Sequence, residues 1–289
     1  MLRYRRLCYV ALNVSDLARS RDFYACLEGL EAEVSRQGAA AFRVGTDRSA
    51  LTLNTAASPG LKAFGFEMES DAALDELATA LDRHGVRWNR SENGIRMVEP
   101  HLGVAVEFRR GVADGHHAAD LSEDAIAGFG HVVLATPDYR EAVAFWRDAL
   151  GFRLSDEIDG RISLLRCYPN PTHHSLGIAS GDRSRFHHLN FRARDGADLE
   201  AVARDLTRNG ATIASGPGTH APSGNRFVYF LDPDGLTLEI STITERFEEG
   251  RERAPRILPD RPESFATGNV TRHPRMGAVG EIEEATELS

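Results

Sequence analysis

The chain carries the same pattern twice. The segment Tyr9-Val-Ala-Leu-Asn-Val-Ser-Asp16 aligns without a gap on His131-Val-Val-Leu-Ala-Thr-Pro-Asp138, an offset of 122 residues. At that offset Phe23 falls on Phe145, Tyr24 on Trp146 and Gly29 on Gly151. A second match, at 125, puts Phe66 on Phe191, Leu74 on Leu199, Leu81 on Leu206 and Gly85 on Gly210. A third, at 132, puts Gly103 on Gly235 and Glu107 on Glu239. Rising offsets are what small loop insertions in the second copy produce. A repeat of this length restricts the fold to two copies of one unit, and any chemistry found in one copy can be checked against the other.

Each copy opens with a strand of about six residues. A helix follows, begun by Ser15/Asp16 or Pro137/Asp138. In the second copy Tyr139, Ala142, Val143, Trp146 and Leu150 recur at helical spacing, and Gly151 is a C-terminal stop. Strands are predicted near 7–13, 31–36, 40–46, 50–55, 62–68, 87–90, 94–98 and 103–109, then near 129–136, 153–157, 160–167, 174–179, 186–193, 211–215, 226–231 and 236–241. Each half therefore reads as two βαβββ units. So many short strands with so few helices do not suit a doubly wound parallel sheet. The fold class expected is α+β: two tandem modules, each a curved mixed sheet wrapped around a cavity with helices outside. Residues 1–110 form the first module, 111–127 a polar linker, 128–243 the second module and 244–289 a tail. His116-His117 reads as a solvated pair in the linker. The tail carries many charges and Pro255, Pro259 and Pro262, with a short helix expected over Glu281–Leu288; disorder and packing over a module both remain open for it.

Composition narrows the function. At 289 residues with 42% hydrophobic content, there is material for a substantial core. A net charge of −9 argues against nucleic acid and anionic membranes as partners. No apolar run is long enough to span a bilayer. Cys8, Cys26 and Cys167 lack CxxC spacing, and an odd number leaves at least one unpaired, which fits a reducing cytoplasm. The informative count is histidine. His131, His173-His174, His187-His188 and His220 all fall between residues 131 and 220.

The stretch Gly218–Glu239 places His220, Tyr229 and Glu239 around a strand, an Asp232-Pro-Asp-Gly235 turn and a second strand. On that second strand Leu236, Leu238 and Ile240 share one face, and Thr237 and Glu239 the other. A glutamate there must meet water, a counter-ion or a metal. A lone strand histidine is more often a core or rim residue than a ligand. Here His131 and His188 occupy matching places in successive units, and Glu239 lies on the last strand. Two imidazoles and a carboxylate make the facial triad of non-haem Fe(II) oxygenases, which leaves the opposite face of the metal open. The first copy has Tyr9, Ala63 and Glu107 at the corresponding positions, so no such metal is expected there. Glu107 then reads as an ordinary polar residue.

The double βαβββ repeat resembles the vicinal-oxygen-chelate superfamily over about residues 6–242, and the second half is similar to the type I extradiol ring-cleavage dioxygenases. Their signature is a histidine two residues after a small or aliphatic residue, a spacer of five to seven residues, an aliphatic or Phe residue before Tyr, an acidic or small residue before Pro-x-Gly, and a Glu shortly after. Gly218-Thr-His220, Val228-Tyr229, Asp232-Pro-Asp-Gly235 and Glu239 satisfy every position. The resemblance implies that His131, His188 and Glu239 ligate Fe(II), with Mn(II) an alternative. His188 is preferred to His187 because His131-Val-Val-Leu matches His188-Leu-Asn-Phe191, and His187 is expected on the opposite strand face. His174 matches the histidine beside bound oxygen, with His173 the competing assignment. His220 and Tyr229 match residues that hydrogen-bond the substrate oxygens. The implied reaction is extradiol (meta) cleavage of a catechol by dioxygen in aromatic-compound catabolism, by a homo-oligomer. One departure is Asn170-Pro-Thr172, where several members carry an Arg-containing stretch; it bears on local substrate contacts more than on the chemistry.

Three other functions share the fold. A glyoxalase-like lyase or isomerase often has Glu or Gln at the histidine positions and has no need of His174, His220 and Tyr229. A resistance enzyme of the superfamily is usually a single module. A non-enzymatic small-ligand-binding module would bind no iron.

Overall fold

The computed structural model describes residues 1–33, 38–45, 47–91, 93–110, 126–242, 244–267 and 270–285. The N-terminal half runs β1 (Tyr4–Val14), α1 (Leu17–Ala25), β2 (Leu30–Glu33), β3 (Ala39–Val44), β4 (Asp47–Thr55), β5 (Gly60–Met68), α2 (Asp71–Arg83), β6 (Trp88–Ser91), β7 (Gly94–Val98) and β8 (Ala105–Arg109). The C-terminal half repeats it with β9 (Ile126–Thr136), α3 (Tyr139–Asp148), β10 (Arg153–Ile158), β11 (Ile162–Arg166), β12 (Leu176–Ser180), β13 (Arg185–Ala193), α4 (Leu199–Arg208), β14 (Thr212–His220), β15 (Arg226–Leu231) and β16 (Thr237–Ser241). The tail adds β17 (Arg256–Leu258), α5 (Pro262–Phe265), β18 (Ala266–Thr267) and β19 (Glu281–Ile282).

The strand order of the first sheet is β2-β3-β4-β1-β5-β8-β7-β6, and that of the second is β10-β11-β12-β9-β13-β16-β15-β14 with β17 and β18 added at its ends. The two orders are the same order. In each sheet the first strand of a unit pairs in parallel with the last, as β1 with β4 and β9 with β12. The opening strands of successive units pair antiparallel, as β1 with β5 and β9 with β13. The α+β repeat architecture expected from the sequence is the one observed.

Sequence explains the local elements. Asp16 caps α1 by accepting from the Arg19 amide at 3.0 Å. Asp138 makes no such side-chain bond; instead Thr136 Oγ1 accepts from the Asp138 amide at 3.2 Å. Gly235 closes the turn before β16 with φ 90°, a conformation that strains any residue with a Cβ. Tyr139, Ala142, Val143 and Trp146 form the buried stripe of α3. Trp146 stacks on Phe64 of the other half at 5.9 Å and meets Phe152 edge-on at 4.8 Å. From α1, Phe23 reaches Phe230 at 6.4 Å, and the buried Tyr24 hydroxyl donates to Asp232 at 3.1 Å. One apolar core therefore runs between the two repeats.

The tail departs from expectation at its end. Glu281–Ile282 is a strand paired in parallel with β5, and no helix covers the described part of Glu281–Leu288; residues 286–289 lie outside the described residues. A two-residue strand has no periodicity to read, and its conformation is set by the start of β5, at Gly60 and Leu61, which precedes the pairing of β5 with β8. Disorder is also not what the earlier tail does: β17 pairs with β10, and β18 with β14. His116-His117 lies outside the described residues.

Candidate metal centre

Three adjacent strands in the middle of the second sheet carry His131, His188 and Glu239. Antiparallel pairing sets His188 on β13 opposite Val133 on β9, and parallel pairing sets Asn190 on β13 beside Glu239 on β16. The three side chains converge on one point. His131 Nε2 and His188 Nε2 are 3.1 Å apart. Each is 3.2 Å from Glu239 Oε2. All three residues are buried, Glu239 completely.

The donor chemistry fits a divalent cation. Two imidazole nitrogens and a carboxylate oxygen that makes no hydrogen bond meet at one point. Such lone pairs repel one another unless a cation lies among them. Metal–ligand bonds of about 2.1 Å at right angles would put neighbouring donors about 3 Å apart, close to the triangle observed. No lysine or arginine pairs with Glu239 among the described residues; the groups 3.2 Å from its oxygens are the imidazoles of His131, His188 and His220. Burial would raise its pKa, but the surrounding imidazoles of His131, His188 and His220 outweigh burial and hold it well below the usual carboxylate range. Burial, opposed by Glu239, pushes His188 down to about 4, so its ring is neutral at pH 7 and ready to ligate.

The residues around this triangle come from separate loops and strands. The His174 ring lies 4.2 Å from that of His131, centroid to centroid. Burial, reinforced by the neighbouring His131 and His173, holds His174 well below its ordinary pKa. His220, at the end of β14, donates from Nδ1 to the Phe265 carbonyl at 3.0 Å. Its Nε2 stands 3.1 Å from the Tyr229 hydroxyl and 3.2 Å from Glu239 Oε1. Tyr229 lies opposite Glu239 in the β15–β16 register, its ring 5.2 Å from that of His188. Burial and the Glu239 charge push the Tyr229 hydroxyl well above its ordinary pKa, so it stays protonated.

His187 does not take the opposite strand face. A register irregularity between Phe186 and His188 displaces it, and its Nδ1 lies 2.7 Å from His188 Nδ1. Strict alternation fails at a bulge, which sequence patterning does not reveal. His173 turns away from the triangle and donates to Asp156 at 2.8 Å. Asn170 braces its loop against the first repeat: its side-chain amide donates to the Arg5 carbonyl, and its oxygen accepts from the Thr172 amide at 2.9 Å.

Asp156, Arg253, Arg256 and the Phe265 carbonyl are site elements that sequence reading missed. A lone aspartate in a strand and two arginines in a proline-bearing tail carry no spacing signal. Asp156, His173 and Glu245 also cluster closely enough to suggest a second metal. Arg253 donates to Asp156 at 3.0 Å and to Glu245 at 2.6 Å, however, so the cations of that cluster are already guanidinium groups.

The chain is a doubled mixed sheet of the paired βαβββ class, with a buried two-histidine, one-carboxylate face that could hold a metal ion. The chain belongs to the Glyoxalase/Bleomycin resistance protein/Dioxygenase superfamily, whose family model matches residues 6–93 and 128–240. It is 27% identical over 258 residues to the 3-methylcatechol 2,3-dioxygenase of Pseudomonas putida, covering 81% of this chain and 88% of that one. It is 25% identical over 276 residues to an iron-dependent extradiol dioxygenase of Rhodococcus jostii, covering 85% and 91%. Among solved structures, the Mn(II)-bound glyoxalase from Novosphingobium aromaticivorans matches with a TM-score of 0.86 at 24% identity, over 100% of this chain and 98% of that one.

Proposed function

We propose that the chain is an extradiol dioxygenase that opens the ring of a catechol with dioxygen at a single Fe(II) ion held by His131, His188 and Glu239. The observation that carries this reading is the triangle of three buried donors 3.1–3.2 Å apart. The names of the full-length relatives support it. Mn(II) accepts the same donors.

The bound ion supplies Lewis acidity toward the diol and a path for electrons from ring to dioxygen. The chain's own groups do the rest. Tyr229 keeps its proton and donates it in a hydrogen bond to one substrate oxygen. His220, its Nδ1–H tied to the Phe265 carbonyl, faces the same oxygen with Nε2. His174 is neutral at rest, takes a proton from the second hydroxyl and returns it as the O–O bond breaks. Both atoms of dioxygen enter the product, a ring-opened 2-hydroxymuconate-type acid.

The test is anaerobic loading with Fe(II), then addition of catechol, methylcatechols or 2,3-dihydroxybiphenyl in air. One oxygen consumed per substrate with a yellow product is expected. His174→Ala should keep its iron and lose turnover by about 10²–10⁴-fold; unchanged turnover removes His174 from the chemistry. A glyoxalase-like reaction is the second reading, favoured by the end-to-end match to the Mn(II)-bound glyoxalase. Turnover of the methylglyoxal–glutathione hemithioacetal without oxygen uptake would establish it instead. The first reading also has the chain working in the cytoplasm as a homo-oligomer, which sedimentation of the purified chain tests.

A further inference from the structure

His173 and His174 are neighbours in sequence with different surroundings. His174 faces the metal triangle, while His173 is completely buried and enclosed by the tail. The His173 amide donates to Thr244 Oγ1 at 3.1 Å, and its ring lies 5.9 Å from that of Phe247. Its Nε2 stands 2.8 Å from Asp156 Oδ2, and its Nδ1 stands 3.0 Å from His174 Nδ1. Asp156, also completely buried, receives two tail guanidinium groups. Arg253 donates to its two oxygens at 3.0 and 3.1 Å. Arg256 donates from Nε at 2.9 Å, from Nη2 at 2.6 Å and from its own amide at 3.1 Å.

This hydrogen-bond chain has one self-consistent proton arrangement. Asp156 is ionised: burial alone would raise its pKa, but the donors on Arg256, His173 and Arg253 outweigh burial and hold it below the usual range. An ionised carboxylate only accepts. His173 must then donate from Nε2. Burial, opposed by Asp156, lowers the pKa of His173, so its ring is neutral and its Nδ1 accepts. The donor facing that atom is His174 Nδ1, which must carry its hydrogen. Neutral His174 is left with its lone pair on Nε2, at the far side of the ring from His173.

We propose that Asp156 and His173, clamped by Arg253 and Arg256 of the tail, are positioning residues that fix His174 as the Nδ1–H tautomer and present Nε2 as its proton-carrying atom. The significance for catalysis rests on the reading of His174 given above; the tautomer itself does not. The arrangement also gives residues 244–256 a task. They complete the support of an active-site histidine rather than merely covering the sheet. A histidine in the wrong tautomer offers a hydrogen where a lone pair is needed, and outer partners of this kind are worth about 10–100-fold in activity.

The first measurement uses the full-length chain labelled with ¹⁵N-histidine, metal-free and zinc-loaded. The imidazole spectrum should show His174 Nδ1 as a protonated nitrogen and Nε2 as an unprotonated one, and the reverse overturns the proposal. The second measurement uses the iron-loaded protein with whichever catechol it cleaves. His173→Leu removes the acceptor and should lower kcat about 10–100-fold with KM and iron content unchanged. His173→Asn returns an acceptor oxygen near the lost Nδ1 and should recover much of that loss. An Asn variant no faster than the Leu variant, or a Leu variant within twofold of the parent, overturns the proposal. Should neither variant fold, the parent spectrum decides alone. A parent that cleaves no catechol counts against the ring-cleavage reading; a parent that turns over with the wrong His174 tautomer counts against this one.

Discussion

The two halves of the molecule share a strand order but not the side chains at the centre of the sheet. Where the second half has His131, His188 and Glu239, the first has Tyr9, Ala63 and Glu107. Glu107 is held by Arg109 at 2.9 Å, and the Arg109 guanidinium lies over the Tyr9 ring at 3.6 Å. Ala63 sits in a small cluster with Ala11 and Ala105, against Tyr9 and Ala285 of the tail. The same backbone therefore places a carboxylate on the same strand in both halves, but in the first half its counter-charge is a side chain. The scaffold brings three strands side by side. Whether the meeting point is a metal site depends on what the side chains leave for a cation.

The largest expected effect is on metal binding. His131→Ala should leave less than about a tenth of the iron and correspondingly little turnover, because two remaining donors do not make a facial site. Stoichiometric iron in that variant, measured by elemental analysis, removes His131 from the ligand set.

The next effect appears on removing the metal. The folded-state value of about 4 for His188 lies below its ordinary 6.5. Between those values the unfolded chain binds the extra proton, so stability of the metal-free chain falls as pH drops from about 6.5 to about 4. His188 alone should account for about 3 kcal/mol of that loss. Urea unfolding across this range should show the slope, and His188→Ala should flatten it. An identical slope in the variant places the titration elsewhere.

The comparison can be sharpened by trying to repair the first half. Tyr9→His combined with Ala63→His supplies both missing imidazoles, yet Arg109 still holds Glu107. Metal content should stay at one per chain; two per chain would mean that side-chain identity at two positions is sufficient. The smallest effect is expected from Glu107→Gln. Its pair with Arg109 is partly exposed, so stability should change by less than about 1 kcal/mol. Turnover should stay within about twofold, since a partly exposed pair in the other sheet touches no reacting atom. A large loss of turnover would show that the first half takes part in the chemistry.

Much of this architecture was legible in the residues. The 122-residue offset shows the repeat, and the described strand ends of the repeat fall within three residues of the expected ones except that β14 runs five residues further, to His220; residues 34–36 of the expected second strand lie outside the described residues. Alternation and helical spacing are local properties. The stretch from Gly218 to Glu239 forms the expected hairpin, and the structure brings its His220, Tyr229 and Glu239 within hydrogen-bonding reach of one another. Less legible were the features that depend on distant partners. His187 was assigned by alternation to a face that a bulge denies it. The acidic composition of the end of the tail suggests helix, although its strand exists only because the first residues of β5 offer it backbone partners.

The sequence by itself determined the doubled α+β fold, the asymmetry between its halves and a short list of histidines for the chemistry. These follow from patterns within a few residues or from the comparison of one copy with the other. Tertiary structure alone decided that His174 faces the metal triangle while His173 faces Asp156, and that Arg253 and Arg256 reach back across roughly a hundred residues to hold that aspartate. The physical reason is range. A hydrogen bond between residues far apart in the chain leaves no periodic trace in either segment, so its partners become visible only when the sheet has brought them together.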